Sequence, residues 1–199
     1  MAFIRTIPTA DAEGPVRAMY DQARARFGFV PNWAHAFSLR PGVMDGWVAL
    51  LKSVQSNMPV RTYELATLAA ARALRSSYCS LAHGSVLAKQ VFDPAAVTAI
   101  VSDAPESPLE PRERAMIVFV EKVVREADRV TPADVDGLRS HGYRDEEIFD
   151  IAAAAAARCF FSKLVDALGA QPDSIFNELD PTLRQLLTVG RPIDTGVRS

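Results

Sequence analysis

The chain has 199 residues, with 22 Lys+Arg against 24 Asp+Glu, 49% hydrophobic residues and only two cysteines. That length and apolar share suffice for a buried core and exclude a disordered or fibrous chain. A net charge of −2 offers no concentrated basic surface for nucleic acid, and two cysteines cannot build a disulfide framework or a four-thiolate zinc site.

Met1 to Pro8 lacks the charged start and apolar run of a signal peptide. The most apolar stretch, Ile151 to Phe161, is about half the length of a spanning helix, and Arg158 interrupts it. The expected location is therefore cytoplasmic, with no membrane partner. Val16, Met19, Tyr20, Ala23 and Phe27 then fall on one face of an amphipathic helix. Phe27 to Asn32 breaks it, and Pro31 is placed to open a short helix through Ala36. Pro41 starts the next, with Val43, Met44, Trp47, Leu50, Leu51 and Val54 as a broad apolar stripe closed at Ser56 to Pro59.

Val60 to Leu74 is an alanine-rich helix former. Arg75-Ser76-Ser77 interrupts it, and Ser76 or Ser77 suits the N-cap of a helix to about Val91. Asp93-Pro94 repeats a cap-plus-proline signature, and Ser102 to Pro111 reads as a linker. Arg112 to Ala127 carries Met116, Val120, Val123 and Val124 at helical spacing; Thr131-Pro132 opens a short helix that His141-Gly142 ends. Asp145 is expected to cap a long helix to about Leu168, and Pro172 begins a last helical stretch before a polar tail. No segment alternates with period two, so the expected fold is all-α, about eight to ten helices in a compact bundle. Glu64 to Ala71 echoes Glu147 to Ala154, each ahead of a cysteine, which raises two pseudo-repeated helical halves. The expected organisation is one domain over residues 1–180 and a C-terminal tail over 181–199.

The chemistry-bearing residues are Glu64, Ser76, Cys79 and His83. Cys79 and His83 are four residues apart on one helix, so they share a face. In a first turn, unpaired N–H groups and the positive dipole end favour a thiolate, and a nearby imidazole can take the thiol proton. A carboxylate from Glu64, brought back beside His83, would orient the ring and stabilise its protonated form. Taken alone, the same residues also fit a plain core: a cysteine on an alanine-rich helix packs as a small hydrophobe, and His83 before Gly84 can be a satisfied core histidine. A metal site from Cys79, His83 and Glu64 lacks an evident fourth ligand. Cofactor-binding glycine motifs for nucleotides are absent, so no cofactor is expected.

The spacing Glu64-x11-Ser76-x2-Cys79-x3-His83 resembles the active-site signature of the alkylhydroperoxidase D family, within the carboxymuconolactone decarboxylase superfamily, whose pattern is Glu-x11-Cys-x2-Cys-x3-His. Arg61 and Tyr78 agree with the surroundings of that motif. Phe27 to Asn32 and Asp166 to Gly169 resemble its peroxidase-related branch, so the likeness covers roughly residues 3 to 180. The resemblance implies an alkylhydroperoxidase D-like helical bundle and a homo-oligomer. It further implies a thiol oxidoreductase acting on hydroperoxides with an external thiol reductant, with Cys79 as nucleophile, His83 as general base and Glu64 as relay carboxylate. Ser76 departs from the pattern: a hydroxyl cannot form the disulfide of the usual dithiol cycle. Cys159 is the other thiol and the one internal candidate for a resolving partner. The superfamily also allows a decarboxylase or isomerase acting on a small carboxylated lactone, with His83 as acid or base, or a non-catalytic helical oligomer that binds a small ligand. His35, His141 and Glu147 are expected to be structural.

Overall fold

The structure is a computed structural model that describes residues 2–196. Among them, helices are α1 (Gly14–Phe27), α2 (Asn32–Phe37), α3 (Pro41–Gln55), α4 (Val60–Ala73), α5 (Ser77–Gln90), α6 (Pro94–Val101), α7 (Pro111–Glu126), α8 (Pro132–Ser140), α9 (Asp145–Ala167) and α10 (Pro181–Leu187). Strands do not occur among the described residues, and the all-α bundle expected from the periodicity is what forms.

Local chemistry sets the helix starts. Proline occupies the first turn of α1, α3, α6, α7, α8 and α10, where its missing N–H costs nothing. The carboxylates of Asp93 and Asp180 accept the Ala96 and Leu183 amides. Two boundaries differ from expectation. Pro31 stands before α2 rather than inside it, and Arg144, not Asp145, holds the cap position of α9. The Arg144 amide is met from within the helix by the Glu147 carboxylate, at 2.9 Å.

The architecture is organised around α4, whose residues Tyr63 to Ala71 are all buried. A helix enclosed on every side needs small or apolar side chains, which the alanines supply. It packs against α5, α7 and α9. One core, on the side of α6, α7 and α10, contains Leu65, Leu81, Met116, Val120 and Ile151. A second, beneath α1 to α3, contains Tyr20, Phe37, Trp47, Cys79, Phe161 and Val165, and a small third joins Val54, Tyr63 and Ala154. The echoing helices α4 and α9 are therefore neighbours, but their equivalence is incomplete. The chain breaks between Glu64 and Cys79, whereas α9 runs from Glu147 through Cys159 without interruption.

The expected tail does not begin at 181. Residues 181–187 form α10, and Leu183 and Leu187 are buried in the main core. Gly84 on α5 leaves the room for this, since a Cβ there would lie 2.5 Å from Leu187 Cδ1. Beyond α10, a Cβ on Gly190 would lie 2.0 Å from the Arg75 carbonyl oxygen, and the Gly190 amide donates to Ser77 Oγ. The C-terminal segment thus closes over the start of α5. Residues 197–199 of the expected tail lie outside the described residues.

Leu187→Ala is therefore expected to destabilise the protein by roughly 2–5 kcal/mol, the usual cost of emptying a buried leucine site. A lower denaturant midpoint measures it; an unchanged midpoint would return residues 181–187 to the status of a tail.

Candidate active site

The site is assembled at the break between α4 and α5. Arg75 adopts a left-handed conformation, with φ of 56°, and the Ser76 amide donates back to the Ala71 carbonyl at 2.9 Å. This turn sends α5 back along α4, and its first consequence is the pair His83–Glu64. His83 Nδ1 lies 2.6 Å from Glu64 Oε2. An ionised carboxylate can only accept, so Nδ1 carries the proton and Nε2 keeps the lone pair of a base. Burial lowers the His83 pKa below the ordinary histidine value; the Arg158 charge pushes the same way, and Glu64 opposes both. The resting ring is therefore neutral near pH 7.

Cys79 is in the first turn of α5, where its own amide is one of the donors left without a helical acceptor. Cys79 is 2% exposed. The polar contact at its sulfur comes from Arg158 of α9, whose Nη1 lies 3.7 Å from Cys79 Sγ. Nη2 of the same guanidinium donates to the Tyr63 hydroxyl at 3.3 Å. The guanidinium also faces the rings of Trp47 and Phe161, at 5.6 and 5.7 Å from their centroids. Burial raises the Tyr63 pKa, which keeps the phenol protonated, and the Tyr63 ring meets His83 edge-on at 6.2 Å.

Arg158 is the residue that sequence reasoning missed. In the sequence it is a break in an apolar run, and its contact with Cys79 spans 79 positions. A signal was present all the same. Arginine is rarely fully buried without a partner, so one arginine among the alanines and phenylalanines of α9 marks something polar inside.

The other expected residues fall as follows. Ser76 holds the N-cap position of α5, but its side chain makes no capping bond; the fully buried hydroxyl lies beside the carboxylate of Asp166, whose pKa burial raises and Ser76 lowers. Ser77 Oγ is engaged by Gly190. Tyr78 is anchored through its hydroxyl to the Asp173 carboxylate, which fixes the start of α5 from the other side. Cys159 is a free, partly buried thiol whose pKa burial raises; α9 turns Arg158, not Cys159, toward Cys79. His35 Nδ1 lies 3.1 Å from the Tyr20 hydroxyl, which donates to the Ile7 carbonyl. Glu147 is occupied at the α9 start, and exposed His141 ends α8. Among the described residues no group of three or more His, Cys, Asp and Glu side chains could hold a metal ion. No described helix is long and apolar enough to cross a membrane. Two surface clefts, of about 370 and 440 Å³, include none of Glu64, Ser76, Cys79 or His83 in their linings.

No protein-family model and no curated protein matches the chain. Solved structures do. An uncharacterized peroxidase-related protein from Ralstonia eutropha JMP134, described as an alkylhydroperoxidase AhpD core, superposes with a TM-score of 0.78 at 25% identity, over 88% of this chain and 94% of that one. An uncharacterized peroxidase-related protein from Silicibacter sp. TM1040 gives 0.75 at 22% identity, over 86% and 92%. The debrominase Bmp8, as a cysteine-to-alanine variant in complex with 2,3,4-tribromopyrrole, gives 0.70 at 16% identity, over 94% and 98%. The chain therefore has the alkylhydroperoxidase D-like fold of these peroxidase-related proteins.

The lowered His83 pKa makes stability depend on pH. Between the folded value and the ordinary value of about 6.5, the unfolded chain holds a proton that the folded chain refuses, so stability rises with pH. The denaturant midpoint should drop as pH falls from 7 toward 5, and His83→Gln should flatten that slope. An equal slope in the variant would place the pH dependence elsewhere.

Proposed function

We propose that the chain is a peroxidase-related thiol oxidoreductase that reduces hydroperoxides through Cys79. The observation that carries this reading is the 2.6 Å His83–Glu64 bond on the helix that bears Cys79 in its first turn, within an alkylhydroperoxidase D-like fold. His83 Nε2 takes the thiol proton, and Glu64 stabilises the imidazolium that results. The sulfur attacks the terminal oxygen of the hydroperoxide. An S–O bond forms, the O–O bond breaks, and its electron pair leaves on the alkoxide, which takes the proton back from His83. Sulfur is oxidised to a sulfenic acid and the hydroperoxide is reduced to an alcohol, or to water from hydrogen peroxide.

Ser76 has no sulfur with which to resolve that acid. Two equivalents of an external thiol regenerate Cys79, releasing water and the external disulfide. The cytoplasm is the compartment proposed, because it supplies such thiols. The fold also carries other chemistry, as the debrominase Bmp8 illustrates.

Hydroperoxide consumption with an added thiol reductant tests the proposal, together with trapping of the sulfenic acid. Cys79→Ser should abolish both, and His83→Ala should slow turnover by about a hundredfold or more, the usual worth of a positioned acid–base group. Consumption that persists in Cys79→Ser would refute the reading. Activity on a carboxylated lactone that survives Cys79→Ser but not His83→Ala would replace it with acid–base catalysis.

Homo-oligomeric assembly belongs to the same proposal. The exposed side chains of Val43, Val48 and Leu50 on α3, and of Phe149 and Phe160 on α9, support it. Light scattering on the eluted protein should give a mass above that of one chain; a monomer at micromolar concentration would exclude the assembly.

A further inference from the structure

Arg158 is 5% exposed and carries a charge that no protein environment removes. Its Nε is buried without a hydrogen-bond partner. Among the described residues no carboxylate pairs with it, and Glu64, the buried carboxylate of the site, is already held by His83. A buried cation in that state is costly unless an anion can form beside it. Its two polar neighbours are the Tyr63 phenol and the Cys79 thiol. Of these the thiol is the stronger acid in its ordinary form.

We propose that Arg158 is a catalytic residue of this site: its guanidinium is the counter-cation of the Cys79 thiolate and drives the thiol proton onto His83. At rest, Arg158 faces a neutral thiol and Glu64 faces a neutral imidazole. Breaking the S–H bond and forming an N–H bond at His83 Nε2 changes neither the total charge nor any oxidation state. It converts both contacts into ion pairs, Arg158 with thiolate and Glu64 with imidazolium. The Arg158 charge that opposes protonation of His83 is then balanced by the sulfur it touches. After oxidation the same cation faces the sulfenate oxygen.

This inference rests on Cys79 being the nucleophile of the proposed function, but not on what that nucleophile attacks. Iodoacetamide labelling of Cys79, followed by mass spectrometry in a Cys159→Ser background, tests it without any peroxide. At pH 7 the neutral variants Arg158→Met and Arg158→Gln should label roughly tenfold more slowly or worse, with Arg158→Lys between them and wild type. The deficit should close above about pH 9, where an ordinary thiol ionises without help. Circular dichroism reports whether each variant is folded; if the neutral pair unfolds, the Arg158→Lys deficit must still shrink as pH rises. Labelling as fast as wild type in a folded neutral variant, or a deficit that is the same at every pH, overturns the proposal. Arginine-dependent labelling without hydroperoxide consumption would leave this inference standing and sink the hydroperoxide reading. Consumption with arginine-independent labelling would do the reverse.

Discussion

A helix buried on every side can carry polar side chains only if each finds its partner inside the protein. α4 is such a helix, and its buried polar residues are Tyr63, Glu64 and Thr67. Thr67 meets the requirement locally, donating to the Tyr63 carbonyl one turn back at 2.8 Å. Tyr63 and Glu64 cannot do the same, because a phenol and a carboxylate reach outward from the helix. Their partners come from the two helices packed alongside, His83 from α5 and Arg158 from α9. The candidate site is in this sense the polar accounting of one enclosed helix, and Cys79 lies against the Arg158 arm of it, on the helix that supplies His83.

The distribution of charge within that network matters more than the number of bonds. Glu64 and Arg158 have opposite charges and are both buried, yet they are not paired with each other. A direct pair would have satisfied both and left the site inert. Instead Glu64 is set against an imidazole, and Arg158 against a thiol and a phenol. Such an arrangement is poorer as a structural device, since each ion lacks full compensation. For the proposed chemistry it is the better arrangement, because one proton moved along α5 would compensate both ions together. Trp47 and Phe161, with their faces toward the guanidinium, keep water from quenching the effect.

The legible part of this protein was the local part. Proline and cap residues marked most helix starts, the alanine-rich run marked α4, and the spacing of Glu64, Cys79 and His83 anticipated that α5 would return to bring His83 to Glu64. Residues whose meaning depends on distant partners were not legible. Leu183 and Leu187 lie on a helix too short to show a period, and only Gly84 and the main core explain their burial. Arg158 and Cys79 belong to different helices with no pattern linking them. Glu147 is the opposite case: its sequence context imitates that of Glu64, but three residues from a helix start a carboxylate satisfies the backbone, whereas Glu64, deeper in its helix, has no free amide to reach.

Ser76 gathers these arguments into one consequence for turnover. In a dithiol site the second sulfur competes for the oxidised one, and the first-formed intermediate is short-lived. Here the residue two before Tyr78 is a hydroxyl lying beside Asp166, and Cys159, on the same helix as Arg158, is not the side chain turned toward Cys79. In the proposed cycle an oxidised Cys79 keeps its oxygen until a thiol arrives from outside, and the residue that carries it is only 2% exposed. Burial that would be a handicap for a fast dithiol enzyme becomes protective, since further oxidation of a sulfenic acid needs a second peroxide to enter. Under that proposal, the cation beside the sulfur and the C-terminal segment over the start of α5 both favour a long-lived, single-thiol intermediate over a rapid internal cycle.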